Sequence, residues 1–311
     1  MAVATKEGAR ASAPPQTKSR TAKQKDLAFA YGFLSPQLFG MVVFLLGPLI
    51  FAFALAFLNW DGFGTRSFAG LDNFAWVFSD PQMLTSMGNT LWFTVLQVPG
   101  LLVSGFMAAL LLQVTKKARN IYRVFYFAPV ITSSVAVSAI WLWLLNPELS
   151  PLNPVFRAVG ITPPDWLQNP TTVIPVMAVV SVWQGLGYQM VMFMAGLENV
   201  PSSLMEAADI DGANEVQKLF RITIPLLSPT ILFLSITSII GSFQVFDYIY
   251  FFFDTTAPAN ARTIVYEIVQ IAFREGNFGR SSALALVLFL ILLAVTGLQM
   301  VAQKRWVHYT E

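Results

Sequence analysis

Residues 281–303 read SSALALVLFLILLAVTGLQMVAQ, 23 consecutive positions without Asp, Glu, Lys or Arg, bracketed by Arg280 and Lys304. About 20 apolar residues in a helix cross the ~30 Å hydrocarbon core of a bilayer, so this stretch is long enough to span. Five earlier windows have the same character, at 27–60, 81–115, 124–147, 166–197 and 222–246. Together the six make up more than half of the 311 residues. The chain is 55% hydrophobic and 12% charged, whereas soluble domains carry about a quarter charged residues, and its mean hydropathy is +0.61. The pattern predicts an all-α polytopic membrane protein of six transmembrane helices. They are expected at about Phe33–Leu58, Thr90–Leu112, Val124–Leu145, Thr172–Leu197, Ile224–Phe246 and Ser281–Gln303. Pro99-Gly100 is a predicted kink in the second.

The residue inventory removes several chemistries. There is no cysteine, and the one histidine is His308, near the C-terminus. A thiol nucleophile, a disulfide, a Cys- or His-based metal site and a Ser-His hydrolase therefore lack their parts. No GxxxxGK[ST] phosphate loop and no GxGxxG fingerprint occurs, so the chain is not expected to hydrolyse a nucleotide by itself. No catalytic residue, metal or cofactor is expected in it.

Counted between the windows, Lys and Arg number 14 on the side of both termini and five on the other. The positive-inside rule then places both termini in the cytoplasm. Residues 1–26 carry six of these bases among Ala, Ser, Thr and Pro and read as a disordered basic tail; residues 27–311 form the six-helix domain. The net charge of +2 and pI near 8.8 are accounted for by orienting loops, and no nucleic-acid partner is expected. Trp141 and Trp143 read as an interfacial belt, as do Trp306 and Tyr309 at the inner surface. The loop 59–86 is rich in turn signals, and the Pro-rich loop 146–170 is expected to be irregular.

One segment breaks the pattern. The loop 198–225 lies on the positive side yet holds five acids and two bases, Lys218 and Arg221. Its local signals predict a helix–turn–helix. Ser203 and Glu206 fit a capping box, with Pro201 in the first turn as the alternative start. Gly212 is placed to end that helix in a left-handed conformation. A second helix, about Asn214–Thr223, is expected to turn Val216, Leu219 and Phe220 to one side before Pro225 opens the fifth span.

Glu206-Ala207-Ala208, then Gly212, then Ile222-x-Ile224-Pro225 resembles the EAA signature of inner-membrane permease subunits of binding-protein-dependent ATP-binding-cassette (ABC) importers. Ile224 for Leu is the sole departure. Glu206 to Ala213, Gly70-Leu71-Asp72-Asn73-Phe74 and Asn89-Thr90 are similar to the carbohydrate-uptake branch. Asp254-Thr-Thr-Ala-Pro258 departs from the Thr-x-Gly-Gly-Pro common there. The resemblance, over about residues 27–305, implies a type I importer (MetI-like) transmembrane fold with its core at about 85–303, in the cell (plasma or inner) membrane. It implies that Glu206, Ala207, Ala208, Asp211, Gly212 and Pro225 form a loop docking on a cytoplasmic ATPase dimer, which carries the ATP and Mg. It further implies a second homologous permease, an extracytoplasmic solute-binding protein, and passage of a sugar or related small polar solute by alternating access.

Polar residues inside the spans mark the candidate pathway, because they are costly against lipid. They are Asn89, Gln97, Gln184, Tyr188, Gln244, Asp247 and Tyr248, with interhelical hydrogen bonding as the alternative for each amide. Two other functions stay open. An anionic solute such as glycerol phosphate fits the same family, with Arg262, Arg274 and Arg280 on the outer side. A secondary, ion-coupled transporter or half-transporter would need carboxylates within the spans, and the six windows hold none.

Overall fold

The computed structural model describes residues 20–114, 119–162, 164–253 and 256–305. Most of the basic tail, Lys116, Lys117, Asp254, Thr255, Trp306, His308 and Tyr309 lie outside the described residues. The chain divides into two units, Met1–Ala52 and Phe53–Glu311.

In the first unit, α1 (Arg20–Met41) runs through a π-helical turn, Val42–Leu46, into α2 (Gly47–Leu55). The helix starts inside the segment read as a tail. The wide turn falls directly before Pro48, and the Gly47 amide donates to the Val42 carbonyl across it. A proline removes its own donor and crowds the carbonyl four residues earlier; a π turn takes up that misfit without ending the helix. From Leu27 onward the run carries no charge, and its apolar side chains face outward, with Phe33 85% and Phe44 77% exposed.

The second unit takes in the end of α2 and continues as a two-stranded hairpin, β1 (Leu58–Asn59) against β2 (Ser67–Phe68), Leu58 opposite Phe68. The Asp61 carboxylate accepts from the amides of Phe63 (3.0 Å) and Gly64 (2.7 Å) in the turn, which holds its pKa below the usual carboxylate value. Then come α3 (Asp72–Ser79) and the 34-residue α4 (Pro81–Val114), which is helical through Pro99 and begins before the expected Thr90. The loop 59–86 is thus more ordered than its turn signals suggested. Asn73, 2% exposed, donates to the carbonyls of Ala56 and Leu58, both at 3.0 Å.

The third span is not one helix. It is α5 (Arg119–Ile131) and α6 (Ser134–Leu144), bent by 97° at Thr132-Ser133. Ser133 adopts extended backbone and its hydroxyl accepts from the Val135 amide, which starts a new helix. The loop beyond is not wholly irregular, since Pro154 lies in the first turn of α7 (Asn153–Ala158). The fourth span, α8 (Val173–Glu198), lies within a residue of its expected bounds.

After α9 (Ser202–Ile210), α10 (Glu215–Lys218), a second π turn (Leu219–Thr223) and α11 (Ile224–Leu226) lead into α12 (Ser228–Phe243). Pro225 follows its π turn as Pro48 does. The fifth span therefore starts at Ser228, breaks at Gln244–Phe246, and resumes as α13 (Asp247–Phe253). A short apolar helix, α14 (Ile264–Phe273), precedes the sixth span, α15 (Phe278–Ala302). Among the described residues five helices are long and apolar enough to cross a membrane, and the bent pair taken as one span makes six.

Packing centres on α4 and α8. Gly100 faces Val182, Gly185 faces Leu101 and Gly105 faces the Gln189 backbone. Small residues let helices approach closely where lipid supplies no hydrophobic drive. Three buried clusters result: one around Phe93, Met177 and Tyr266, one around Val77, Ile271 and Leu284, and one around Ala109, Phe193 and Leu227.

Candidate functional site

The two helix breaks meet at one place. Gln184, half-buried on α8, donates from Nε2 to the Thr132 carbonyl (3.1 Å) at the break of the third span. Its Oε1 accepts from the Tyr248 hydroxyl (2.6 Å), just beyond the break in the fifth. Backbone freed from a helix inside a membrane must find partners within the protein or line a polar cavity. Both conditions hold here: the Val245 carbonyl accepts from the buried Thr263 hydroxyl (2.9 Å), and a cavity of about 190 Å3 opens beside the breaks. Gln97, Ser134, Ser181, Gln244, Asp247 and Tyr248 line it. Discontinuous helices around a polar cavity are a recurrent way to build a solute site in membrane transporters.

Of the seven intramembrane residues singled out from sequence, Gln97, Gln244, Asp247 and Tyr248 line this cavity, and Gln184 adjoins it through Tyr248. Asn89 and Tyr188 do not. Asn89 donates to the carbonyls of Ala259 (3.0 Å) and Arg262 (2.9 Å), and the neighbouring Thr90 hydroxyl accepts from the Ile264 amide (3.0 Å). The pair holds the segment after α13 against the head of α4. Tyr188 is 41% exposed and lies away from the lining. Ser134 and Ser181 were not singled out; serine is too common in apolar helices to stand out without its neighbours. Gln97 donates from Nε2 to Ser181 Oγ (2.7 Å), while Gln189 pairs with Ser238 (2.8 Å) and the Ser242 hydroxyl donates to that of Thr94 (2.9 Å). Trp141 packs edge-to-face on Trp183 at 5.6 Å.

Replacing Gln184 with leucine takes the side-chain partner from the Thr132 carbonyl and one of the two side-chain partners, the other being Ser181, from the Tyr248 hydroxyl. A lost partner at a poorly solvated polar group costs about 1–3 kcal/mol, so the variant is expected to lose ~1–3 kcal/mol, read as a fall in the thermal midpoint of the detergent-solubilised protein.

Outside the spans, Glu267 on α14 is 2% exposed. Gln82 Nε2 donates to its Oε1 (2.9 Å) and Arg262 Nη1 lies 3.5 Å away. Burial raises its pKa above the ordinary 4.5, against the lowering effect of Arg262. An acid whose folded pKa is raised contributes stability that is full below about pH 4.5 and is lost as pH rises through the raised value. Glu267→Gln is expected to remove that dependence, so the variant's melting temperature should gain on the parent's as pH rises from 4 to 8. Arg262 also donates from Nε to the Ala257 carbonyl (2.7 Å), and Arg280 stacks over Trp76 at 4.7 Å.

The acidic loop is ordered. Pro201, not Ser203, is the N-cap of α9, and no side chain caps it; the expected Ser203/Glu206 box is not formed. Reciprocal capping occurs instead at α10, where the Asn214 side chain accepts from the Gln217 amide (2.8 Å) and the Gln217 side chain from the Asn214 amide (2.9 Å). Gly212 has φ +72°. Its amide donates to Asp209 (3.1 Å) and that of Ala213 to Ala208 (2.9 Å), a Schellman ending that favours glycine. Lys218, itself buried, bridges Asp209 of α9 to Glu215 of α10 (2.8 Å to the latter), and its pKa is raised, chiefly by the Asp209 hydrogen bond. Ala208 faces inward, whereas Glu206 and Ala207 are exposed. Ile210 (88%), Val216 (63%) and Phe220 (64%) are exposed with them, while Leu219, expected on the same side, is half-buried. The loop offers acids and an apolar patch together.

Residues 100–308 match the family described as "Binding-protein-dependent transport system inner membrane component". The probable ABC transporter permease protein YesP of Bacillus subtilis is 34% identical, over 94% of this chain and 95% of its own. The arabinooligosaccharides transport system permease protein AraP of the same organism is 32% identical, over 86% of each. The sn-glycerol-3-phosphate transport system permease protein UgpA of Brucella abortus is 33% identical, over 90% of this chain and 96% of that one. In fold the chain superposes on a chain of a bacterial ABC transporter involved in alginate import, with a TM-score of 0.82 over 92% and 99% of the two chains at 22% identity.

Proposed function

The chain belongs to the family of binding-protein-dependent inner-membrane transport components, and from that premise we propose that it passes a sugar or related small polar solute through the cavity at its two helix breaks. The observation that carries this reading is the convergence of both interrupted spans, bridged by Gln184, on one polar cavity. The permease supplies a route and no bond-breaking chemistry. ATP and Mg are handled by a partner ATPase dimer, onto which the 198–225 loop docks through Glu206, Ala207, the Gly212 turn and the exposed Ile210, Val216 and Phe220. Closure of that dimer moves the docked loops and shifts the permease between inward- and outward-facing states.

A second, homologous permease and an extracytoplasmic solute-binding protein complete the assembly. Both termini lie in the cytoplasm, as the distribution of Lys and Arg favours. A sugar is supported by the relative named for arabinooligosaccharides and by a lining of amides and hydroxyls suited to a polyol.

Affinity purification of the tagged chain from its native membrane tests the assembly. An ATPase and a second permease are expected to come with it in stoichiometric amounts. Recovery of the chain alone, in a mild detergent that preserves such complexes, would contradict the reading.

A further inference from the structure

We propose that this cavity admits uncharged polyols and rejects anions, with Asp247 as the residue that decides between them. The inference rests on the solute passing through this cavity and deepens that reading by naming the solute's charge class.

Of the six polar side chains in the lining, five are neutral amides or hydroxyls and the sixth is the Asp247 carboxylate. No Lys or Arg occurs anywhere in the six apolar windows. Of the three arginines that follow the fifth span, none lines the cavity, and two are engaged elsewhere, Arg262 with Glu267 and the Ala257 carbonyl and Arg280 with Trp76. Three helix ends also face the cavity. The starts of α6 at Ser134 and of α13 at Asp247 bring partial positive charge and the end of α12 at Gln244 partial negative charge, each at most about half an elementary charge. Their sum is smaller than the full charge of Asp247, which sets the sign.

Hydrogen bonding points the same way. Gln97 is nine-tenths buried in the lining. Its Nε2 is used by Ser181, but its Oε1 has no partner among the described residues. A buried acceptor without a donor is costly, and the hydroxyl of a passing solute would satisfy it. Asp247, when ionised, can only accept. Sugar hydroxyls supply donors to both groups. An ionised phosphate or carboxylate group supplies acceptors alone and, whatever hydroxyls the rest of the solute carries, must shed its water beside a like charge. This chain is thereby set apart, in the solute it passes, from the glycerol phosphate that names one of its relatives.

The chain contains no cysteine, so Ser134→Cys places its only thiol in the cavity. The assembled importer in membrane vesicles is treated with a trimethylammonium or a sulfonate methanethiosulfonate. Labelling of this chain is followed by mass, each rate being normalised to that with 2-mercaptoethanol. The cationic reagent is expected to win by about tenfold or more, the size of effect one nearby charge produces at reduced dielectric. Adding Asp247→Asn should bring the ratio near one, and Asp247→Glu should preserve it. A ratio near one in the Ser134→Cys protein overturns the proposal, as does a ratio that Asp247→Asn leaves unchanged. Failure of both reagents to label Ser134→Cys and likewise Gln244→Cys also overturns it, because the cavity would then be closed to solutes. The readout needs no ATP, so failure of the importer reading shows separately, as absence of ATP-driven uptake.

Discussion

Gly212→Pro is expected to abolish association with the ATPase while leaving membrane insertion intact. Gly212 sits at φ +72°, and proline is locked near −65°, so the Schellman turn between α9 and α10 cannot form. The variant also loses the Gly212 amide bond to Asp209, and Lys218 can no longer span Asp209 and Glu215. Nothing within 4 Å crowds this glycine, so the damage stays in the loop. Glu206→Lys should weaken association through charge alone, with the turn preserved. Co-purification of the ATPase with each variant is the measurement; Gly212→Pro protein that retains its ATPase in full would show that this turn is not the docking element.

Gly187→Val is expected to have the largest effect on the fold itself. A Cβ at Gly187 would meet the Tyr126 carbonyl and the Phe127 backbone of α5. Those atoms belong to main chain held in a helix, with no flexible side chain to swing aside. Overpacking typically costs about 1–3 kcal/mol and more where backbone must move, so a loss of at least ~3 kcal/mol is expected. Separation of α5 from α8 would also pull Thr132 away from Gln184, linking the packing fault to the cavity. The midpoint of thermal aggregation in detergent should fall on the order of 10 °C, by the usual conversion of about 2–4 °C per kcal/mol. Gly297→Ala, with nothing near its Cβ position, is the neutral comparison.

The spans are legible in the sequence because a run of 20 or more uncharged, largely apolar residues is what a bilayer crossing requires, and soluble domains, about a quarter charged, seldom contain one. Their interruptions are not legible in the same way. Thr132-Ser133 and Gln244-Val245-Phe246 are uncharged residues inside apolar windows, and a count of charges passes over them. The break at Ser133 depends on a cap whose partner is two residues away. The break before Asp247 depends on Thr263, 18 residues on from Val245. Asn89 looks like a pathway residue for the same reason: its partners, Ala259 and Arg262, are about 170 positions distant. The capping box was a different kind of miss. Asn214-x-x-Gln217 fits the same rule as Ser203-x-x-Glu206, but the first helix follows Pro201 and takes its start from there. Gly212, whose role is set by its own backbone angle, could be read locally.

Uptake into proteoliposomes holding this chain, its partner permease and the ATPase tests the central claim most directly. With the solute-binding protein and a labelled neutral sugar outside and ATP inside, the account predicts uptake that requires ATP and is lost with Gly212→Pro. It also predicts that dissipating the proton and sodium gradients leaves uptake unchanged. Uptake that proceeds without ATP and follows an ion gradient would contradict it.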